Sequence, residues 1–175
     1  MDGVQSLIER LHAVLARGGS DAERAEAVAE CLRAGLPAVD ELTPEQRAGE
    51  PGRYVQHVLH VEADPLFTVL ALVWPAGQQT TVHDHLCWGA VAVLQGSEHE
   101  TRFRLEPDQA GPSLHPARET TYAPGDACWF APPHDIHRVT SGAADATISL
   151  HVYGADIAAL GSSVKTIYPP GLVRA

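Results

Sequence analysis

The sequence predicts a mainly β protein, a sandwich or barrel, preceded by two α-helices. Three observations carry that expectation. Apolar residues recur at helical spacing only near the N-terminus. From Pro51 onward, short β-type runs alternate with Gly, Pro and Asp. The pattern His83-Asp84-His85 sits inside that second region.

Taken in order, Val4, Leu7, Ile8, Leu11, Val14 and Leu15 form one helical stripe, and Ala25, Val28, Ala29 and Leu32 form another. Gly18-Gly19 separates them, and Ser20 or Asp21 can cap the second. Thr43-Pro44-Glu45-Gln46 predicts a further short helix, with Thr43 as cap, Pro44 at the first helical position and Gln46 at the capping-box position. The predicted strands are 54–61, 67–74, 88–94, 98–105, 120–122, 127–131, 137–140 and 146–153. Residues 109–117, rich in Pro, Gly and Ser, are expected as a loop, and 161–175 as a strap across the surface. The expected organisation is a single domain: a helical segment (1–50) packed on a barrel (51–160), followed by the C-terminal strap (161–175).

A chain of 175 residues can bury a substantial core, and 45% hydrophobic with 19% charged residues is ordinary globular composition. The formal net charge of −10 argues against general affinity for nucleic acid or anionic membrane. No stretch approaches the roughly 20 apolar residues that span a bilayer. Asp2 and the absence of a basic segment before an apolar core argue against a signal peptide, so a cytoplasmic location is expected. Cys31, Cys87 and Cys128 are odd in number with no CxxC spacing, which points to reduced thiols rather than a disulfide framework or zinc knuckle.

In an extended strand, residues two apart share a face, so His83 and His85 can aim two imidazoles at one point. A third imidazole from a neighbouring strand, His137 or His134, would complete one face of a metal's coordination sphere. Asp84 should then point away from the metal. The same alternation places Ser149, His151 and Tyr153 on one face as a hydrogen-bonded row, or as a polar stripe satisfied by backbone groups. Cys87 shares the parity of His83 and His85, but it is expected as a small buried hydrophobe beyond a bulge. Asp126 and Asp135 read as turn residues. His57 and His60 do not alternate onto a shared face, and His12, His99 and His115 are expected at the surface.

Gly77, His83-Asp84-His85, Gly89 and Gly96 together resemble the first cupin motif, and Gly125 through Pro132 to His137 resembles the second. That resemblance implies a double-stranded β-helix, a jelly-roll-like barrel with a metal in its mouth, and favours His137 over His134 as third ligand. Val73-Trp74, Thr81 to His85, Leu94-Gln95-Gly96, Glu100-Thr101, His137-Arg138-Val139 and Ser149 to Tyr153 further resemble the cysteine dioxygenase family of thiol dioxygenases. The resemblance implies ferrous iron on His83, His85 and His137, with Tyr153 donating to the reacting oxygen and His151 and Ser149 orienting it. It implies oxidation of a small thiol carboxylate, similar to 3-mercaptopropionate or cysteine, to its sulfinate with O2.

Departures from the pattern bear on the substrate. Gly89 stands where the cupin motif has a glutamate ligand and where animal-type cysteine dioxygenases carry a crosslinking cysteine; Gln56 stands in place of their carboxylate-binding arginine. Trp88-Gly89 is more similar to the bacterial 3-mercaptopropionate dioxygenase branch, yet 154–165 lacks the arginine that this branch often places there. Gln56 and Tyr54 are the candidates for the substrate carboxylate through neutral hydrogen bonds, and Arg174 or Lys165 if the tail folds over the barrel mouth. The expected partners are the thiol and O2, with no nucleic acid or membrane, and a monomer or small homo-oligomer. The alternatives are a non-catalytic cupin sensor or small-molecule binder, or a nickel or manganese cupin dioxygenase acting on a carbon substrate.

Overall fold

The computed structural model describes residues 3–64, 66–108, 111–142 and 144–174. Helices α1 (Gly3–Leu15) and α2 (Asp21–Ala34) bury the predicted stripes, Leu7, Ile8, Leu11 and Leu15 on the first and Ala25, Val28, Ala29 and Leu32 on the second. A reciprocal cap starts α2: the Glu23 carboxylate accepts from Ser20 N at 2.8 Å, while Glu23 N donates to the Ser20 hydroxyl at 3.4 Å. Thr43 and Gln46 make the same exchange, at 2.9 and 3.3 Å, around the 3-10 turn Glu45–Arg47. None of the described helices is long and apolar enough to cross a membrane.

Two antiparallel five-stranded sheets follow. One has the order β1 (Val55–Ala63), β2 (Leu66–Trp74), β9 (Thr147–Tyr153), β4 (Gly89–Gln95), β7 (Ala127–Phe130). The other has the order β10 (Val164–Tyr168), β3 (Val82–His85), β8 (His137–Ser141), β5 (Glu98–Asp108), β6 (Gly111–Tyr122). The helices cover the outer face of the first sheet, where Val69, Ala71, Ala90, Ala92, Leu150 and Val152 share a core with α1 and α2. Its inner face carries Leu70, Leu72, Trp74, Val91 and Tyr153. Burial on both faces explains why β2 and β4 read as nearly continuous apolar runs, whereas β9 alternates apolar residues toward the helices with the polar row on its inner face. Truncating a residue such as the fully buried Leu150 to Ala would cost about 2–5 kcal/mol.

Two expectations need correction. Most of the expected 109–117 loop belongs to β6, a long strand paired with β5 from Asp108↔Gly111 to Glu98↔Tyr122; Gln109 and Ala110 lie outside the described residues. Its prolines disguised it. Pro112 and Pro116 are tolerated because β6 is an edge strand, where a missing N–H faces away from the ladder. The 161–175 tail is not merely a strap, because Val164–Tyr168 forms β10 against β3. Its β-branched Val164, Thr166 and Ile167 supply the propensity, which the flanking Gly and Pro residues concealed. Between β9 and β10 lies a single short helical turn, α3 (Ile157–Leu160), capped by Asp156.

Candidate metal centre

His83 and His85 project from β3, and His137 opens β8 directly opposite His83 in the antiparallel register. The three buried rings lie with centroids 4.7–5.0 Å apart, and one nitrogen of each falls within 4.8 Å of the others. Each Nδ1 faces an acceptor: His83 the Thr81 carbonyl at 3.0 Å, His85 the Asp135 carboxylate at 2.9 Å, His137 the Glu100 carboxylate at 2.7 Å. Nδ1 is therefore the protonated nitrogen in all three rings, and the Nε2 lone pair is left for a shared cation. Burial, reinforced by the neighbouring His137, pushes the His83 pKa down to about 4, and burial lowers His85 too. Neutral imidazoles at physiological pH are what a metal requires, so the residues present fit a bound metal.

The outer ring of carboxylates is itself anchored. Asp135 also accepts from His85 N at 3.0 Å. Glu100 accepts from Arg102 Nε and from the Tyr122 hydroxyl, both at 3.0 Å, while Arg102 Nη2 reaches the Trp129 carbonyl at 2.6 Å. Burial alone would raise Glu100, but its bond to His137 and the charge of Arg102 outweigh it and hold the carboxyl at about 2.

Phe130 explains the missing carboxylate ligand. Its ring stacks on His85 with centroids 3.9 Å apart and planes 19° from parallel. A Cβ added at Gly89 would come within 2.8 Å of Phe130 Cε2, so the aromatic ring takes the space a side chain at position 89 would need. The ligand cluster is all nitrogen as a result.

The polar row on β9 runs from Ser149 Oγ to His151 Nε2 at 3.0 Å and from His151 Nδ1 to the Tyr153 hydroxyl at 3.0 Å. Trp74 Nε1 donates to Ser149 at 3.1 Å, so side chains rather than backbone groups satisfy the stripe. Burial holds His151 neutral, with its pKa pushed down to about 3, and raises the Tyr153 phenol. His151 and Tyr153 of the row and the three clustered histidines open on one cavity of about 360 Å³, with Tyr54 and Gln56 also in its wall. Among the described residues that line it, none is Lys or Arg.

Several residues lie elsewhere. Arg174, a candidate for the substrate carboxylate, is carried back to β6, where its N–H donates to the Leu114 carbonyl at 2.8 Å and its guanidinium to Gly171 O at 3.0 Å. The tail lends Ser162, Ser163, Val164 and Ile167 to the cavity wall through the pairing of β10 with β3, but neither Lys165 nor Arg174 lines it. His134 is exposed on a surface groove beside Arg102 and Phe103. Strand β3 ends at His85 and the chain bends, so Cys87 packs as a free, buried thiol outside the cavity wall, its pKa pushed up to about 11 by burial. Asp84 points away from the cluster and accepts from Tyr168 on β10 at 3.0 Å.

Sequence reasoning missed Asp135, read as a turn residue, as well as Glu100, Glu98, Trp74 and Phe130 as parts of the site. A signal existed for the two glutamates: Glu98 and Glu100 share strand parity, and two acidic residues on an inward face demand partners.

The profile described as cysteine dioxygenase type I matches residues 5–160 of the chain. Among solved structures, the chain is similar to a cupin superfamily protein from Desulfitobacterium hafniense DCB-2, with 14% identity, 70% of this chain and 91% of that one covered, and a TM-score of 0.48. It is also similar to an uncharacterized conserved protein with a double-stranded β-helix domain from Klebsiella pneumoniae, with 17% identity, 67% and 87% covered, and a TM-score of 0.46.

Proposed function

The chain belongs to the cysteine dioxygenase type I family, with a cupin double-stranded β-helix fold, and from that premise we propose that it is an iron-dependent thiol dioxygenase converting a small thiol to its sulfinate. The observation that carries this reading is the convergence of three buried imidazoles, each fixed by an outer acceptor, on the cavity that also receives Tyr153. When held by Nε2 of His83, His85 and His137, ferrous iron supplies a cationic centre with open positions at which a thiolate and dioxygen can meet. Sulfur takes both oxygen atoms and itself provides the four electrons that reduce dioxygen, so no external reductant enters the balance.

The protein's own contribution is orientation. Tyr153 presents its hydroxyl to the reacting atoms, His151 fixes that hydroxyl, and Ser149 with Trp74 fixes His151. The buried walls, including Leu72, Val91 and Phe130, limit the water around the reaction. A cavity of about 360 Å³ suits a small substrate, and Tyr54 and Gln56 offer neutral hydrogen bonds to the carboxylate of 3-mercaptopropionate or cysteine. The lack of Lys and Arg among the described lining residues favours a second substrate reading, an aminothiol such as cysteamine. The hydrogen-bonded row counts against a non-catalytic sensor, which has no use for a phenol held beside the metal.

The test is anaerobic loading with ferrous iron, followed by oxygen uptake on 3-mercaptopropionate, cysteine, cysteamine and mercaptosuccinate. One dioxygen should be consumed per sulfinate, with both product oxygens derived from labelled dioxygen. Water-derived oxygen in the sulfinate, or no uptake with any thiol, would overturn the proposal.

A further inference from the structure

Glu98 is the one carboxyl in the cavity wall without a cationic partner among the described residues. It projects from β5, is only 3% exposed, and its buried Oε1 has no hydrogen-bond partner. Its neighbour in the row is the hydroxyl of Ser149. The titratable groups that feel its charge are Glu100 on β5, Cys128 on β7 and Tyr153 on β9, and Tyr122 of β6 and Ser141 of β8 lie opposite it in the sheet. Arg102 is already committed to Glu100 and to the Trp129 carbonyl.

We infer that Glu98 is a positioning residue whose protonation sets the direction of hydrogen bonding along Ser149, His151 and Tyr153, and so decides whether Tyr153 offers the metal cavity a proton or a lone pair. The inference rests on the proposed function only for what that proton is used for.

The argument is a count of donors. Ser149 has one proton to give and two lone pairs, and Trp74 Nε1 occupies one of those lone pairs. An ionised Glu98 can only accept, so Ser149 donates to it and takes the N–H of His151 Nε2 on its other lone pair. His151 is neutral, so its Nδ1 is then bare and accepts the Tyr153 proton, turning that proton away from the cavity. A protonated Glu98 reverses each step. It donates to Ser149, Ser149 donates to His151 Nε2, His151 donates from Nδ1 to the Tyr153 oxygen, and the Tyr153 proton is released from His151 toward the cavity, where the Ser163 hydroxyl is its other neighbour. Neither direction leaves a charge in the row, and the 3.0 Å contacts along it serve both. Burial raises the Glu98 pKa to about 7, the Ser149 hydroxyl opposing this and the Glu100 charge adding to it, so both forms are populated near neutrality.

The test reads the tautomer of His151 directly, by long-range nitrogen–proton NMR on histidine-labelled full-length chain loaded with diamagnetic zinc, from about pH 5 to about pH 9. The wild-type protein should carry the His151 proton on Nδ1 at the acid end and on Nε2 at the alkaline end. Glu98→Gln, whose amide can donate to Ser149 as the protonated acid does, should hold Nδ1–H throughout. Ser149→Ala, which cuts the connection but keeps Glu98, should abolish the pH response. In the iron-loaded protein, kcat should fall as pH rises through about 7, and Glu98→Gln should lose that limb with little change in KM. A wild-type tautomer that is the same at both ends of the range, or a shift that persists in Glu98→Gln, overturns the inference. If wild-type protein oxidises no thiol, the proposed function fails while the zinc-form tautomer still decides the role of Glu98.

Discussion

Replacing Glu100 with Gln isolates what the outer carboxylates do for the metal. The carboxylate has three partners: His137 Nδ1 at 2.7 Å on one oxygen, and Arg102 Nε and the Tyr122 hydroxyl, each at 3.0 Å, on the other. In Glu100→Gln the amide carbonyl can still accept from His137, but without charge, and the amide N–H groups now face two donors. Tyr122 can rotate and accept; Arg102 cannot, and it keeps only its bond to the Trp129 carbonyl. The ligand His137 becomes less basic and less firmly oriented, a change that typically costs about 10–100-fold in metal affinity, or about 1.4–2.8 kcal/mol. The assay is competition between metal-free protein and a chromophoric chelator for zinc, and for ferrous iron under anaerobic conditions. Ser149→Ala serves as the control, since Ser149 touches no ligand. An affinity for Glu100→Gln within about twofold of wild type, in a variant with native circular dichroism, would refute the claim that this carboxylate supports the metal.

Ser149→Ala and His151→Ala should lower turnover while bound iron, measured by metal analysis, stays near wild type; unchanged kcat in both would remove the row from the reaction. Glu100 and Glu98 should bend stability with pH in opposite windows, read by denaturant titration. Glu100, depressed to about 2 from 4.5, contributes about 3 kcal/mol that is present above pH 4.5 and lost as pH falls toward 2, because there the unfolded chain binds more protons. Glu98, raised to about 7 from 4.5, works the other way: the native state binds more protons in that window, so stability falls by about 3 kcal/mol as pH rises from 4.5 to 7, and Glu98→Gln should remove that slope. Cys87, with its pKa pushed to about 11 by burial, should resist alkylation in native protein at pH about 8 and react fully once unfolded. Gly89→Glu should add no fourth ligand, since Phe130 fills the space; overpacking costs of about 1–3 kcal/mol should appear as a lower Tm, whereas tighter metal binding would contradict that reading.

Two parts of the cavity were readable in the sequence because strand alternation is a local rule: His83 and His85 share a face wherever that strand goes, and so do Ser149, His151 and Tyr153, whereas His137 was singled out only through the motif resemblance. The outer shell was not readable, because it joins residues far apart in the chain. Glu100 meets His137 because β5 and β8 pair, and Asp135 meets His85 across a separation of 50 residues. Nothing local to Asp135 distinguishes it from any other Asp after Pro-Pro. The missed β6 and β10 share another cause, since Pro and Gly weigh against a strand locally while the topology places these two strands at the opposite edges of one sheet. The misplacement of Arg174 follows from the second miss, because the tail lends Ser162, Ser163, Val164 and Ile167 to the cavity wall and then continues to β6, carrying Arg174 with it.

Glu98 and Glu100 show why burial alone does not assign a role. They lie two residues apart on one strand, both 3% exposed, both facing the same cavity. Glu100 meets a ring N–H, a guanidinium and a phenol, and remains an anion that props a ligand. Glu98 meets a hydroxyl that can either give or take a proton, with no cation to hold its charge, so it is the member of the pair free to change state. The same strand thus supplies the cavity with a fixed charge beside the histidine cluster and a variable one at the far end of the Tyr153 row. This difference is set by what β6, β8 and β9 place opposite each carboxyl rather than by the residue type or its depth.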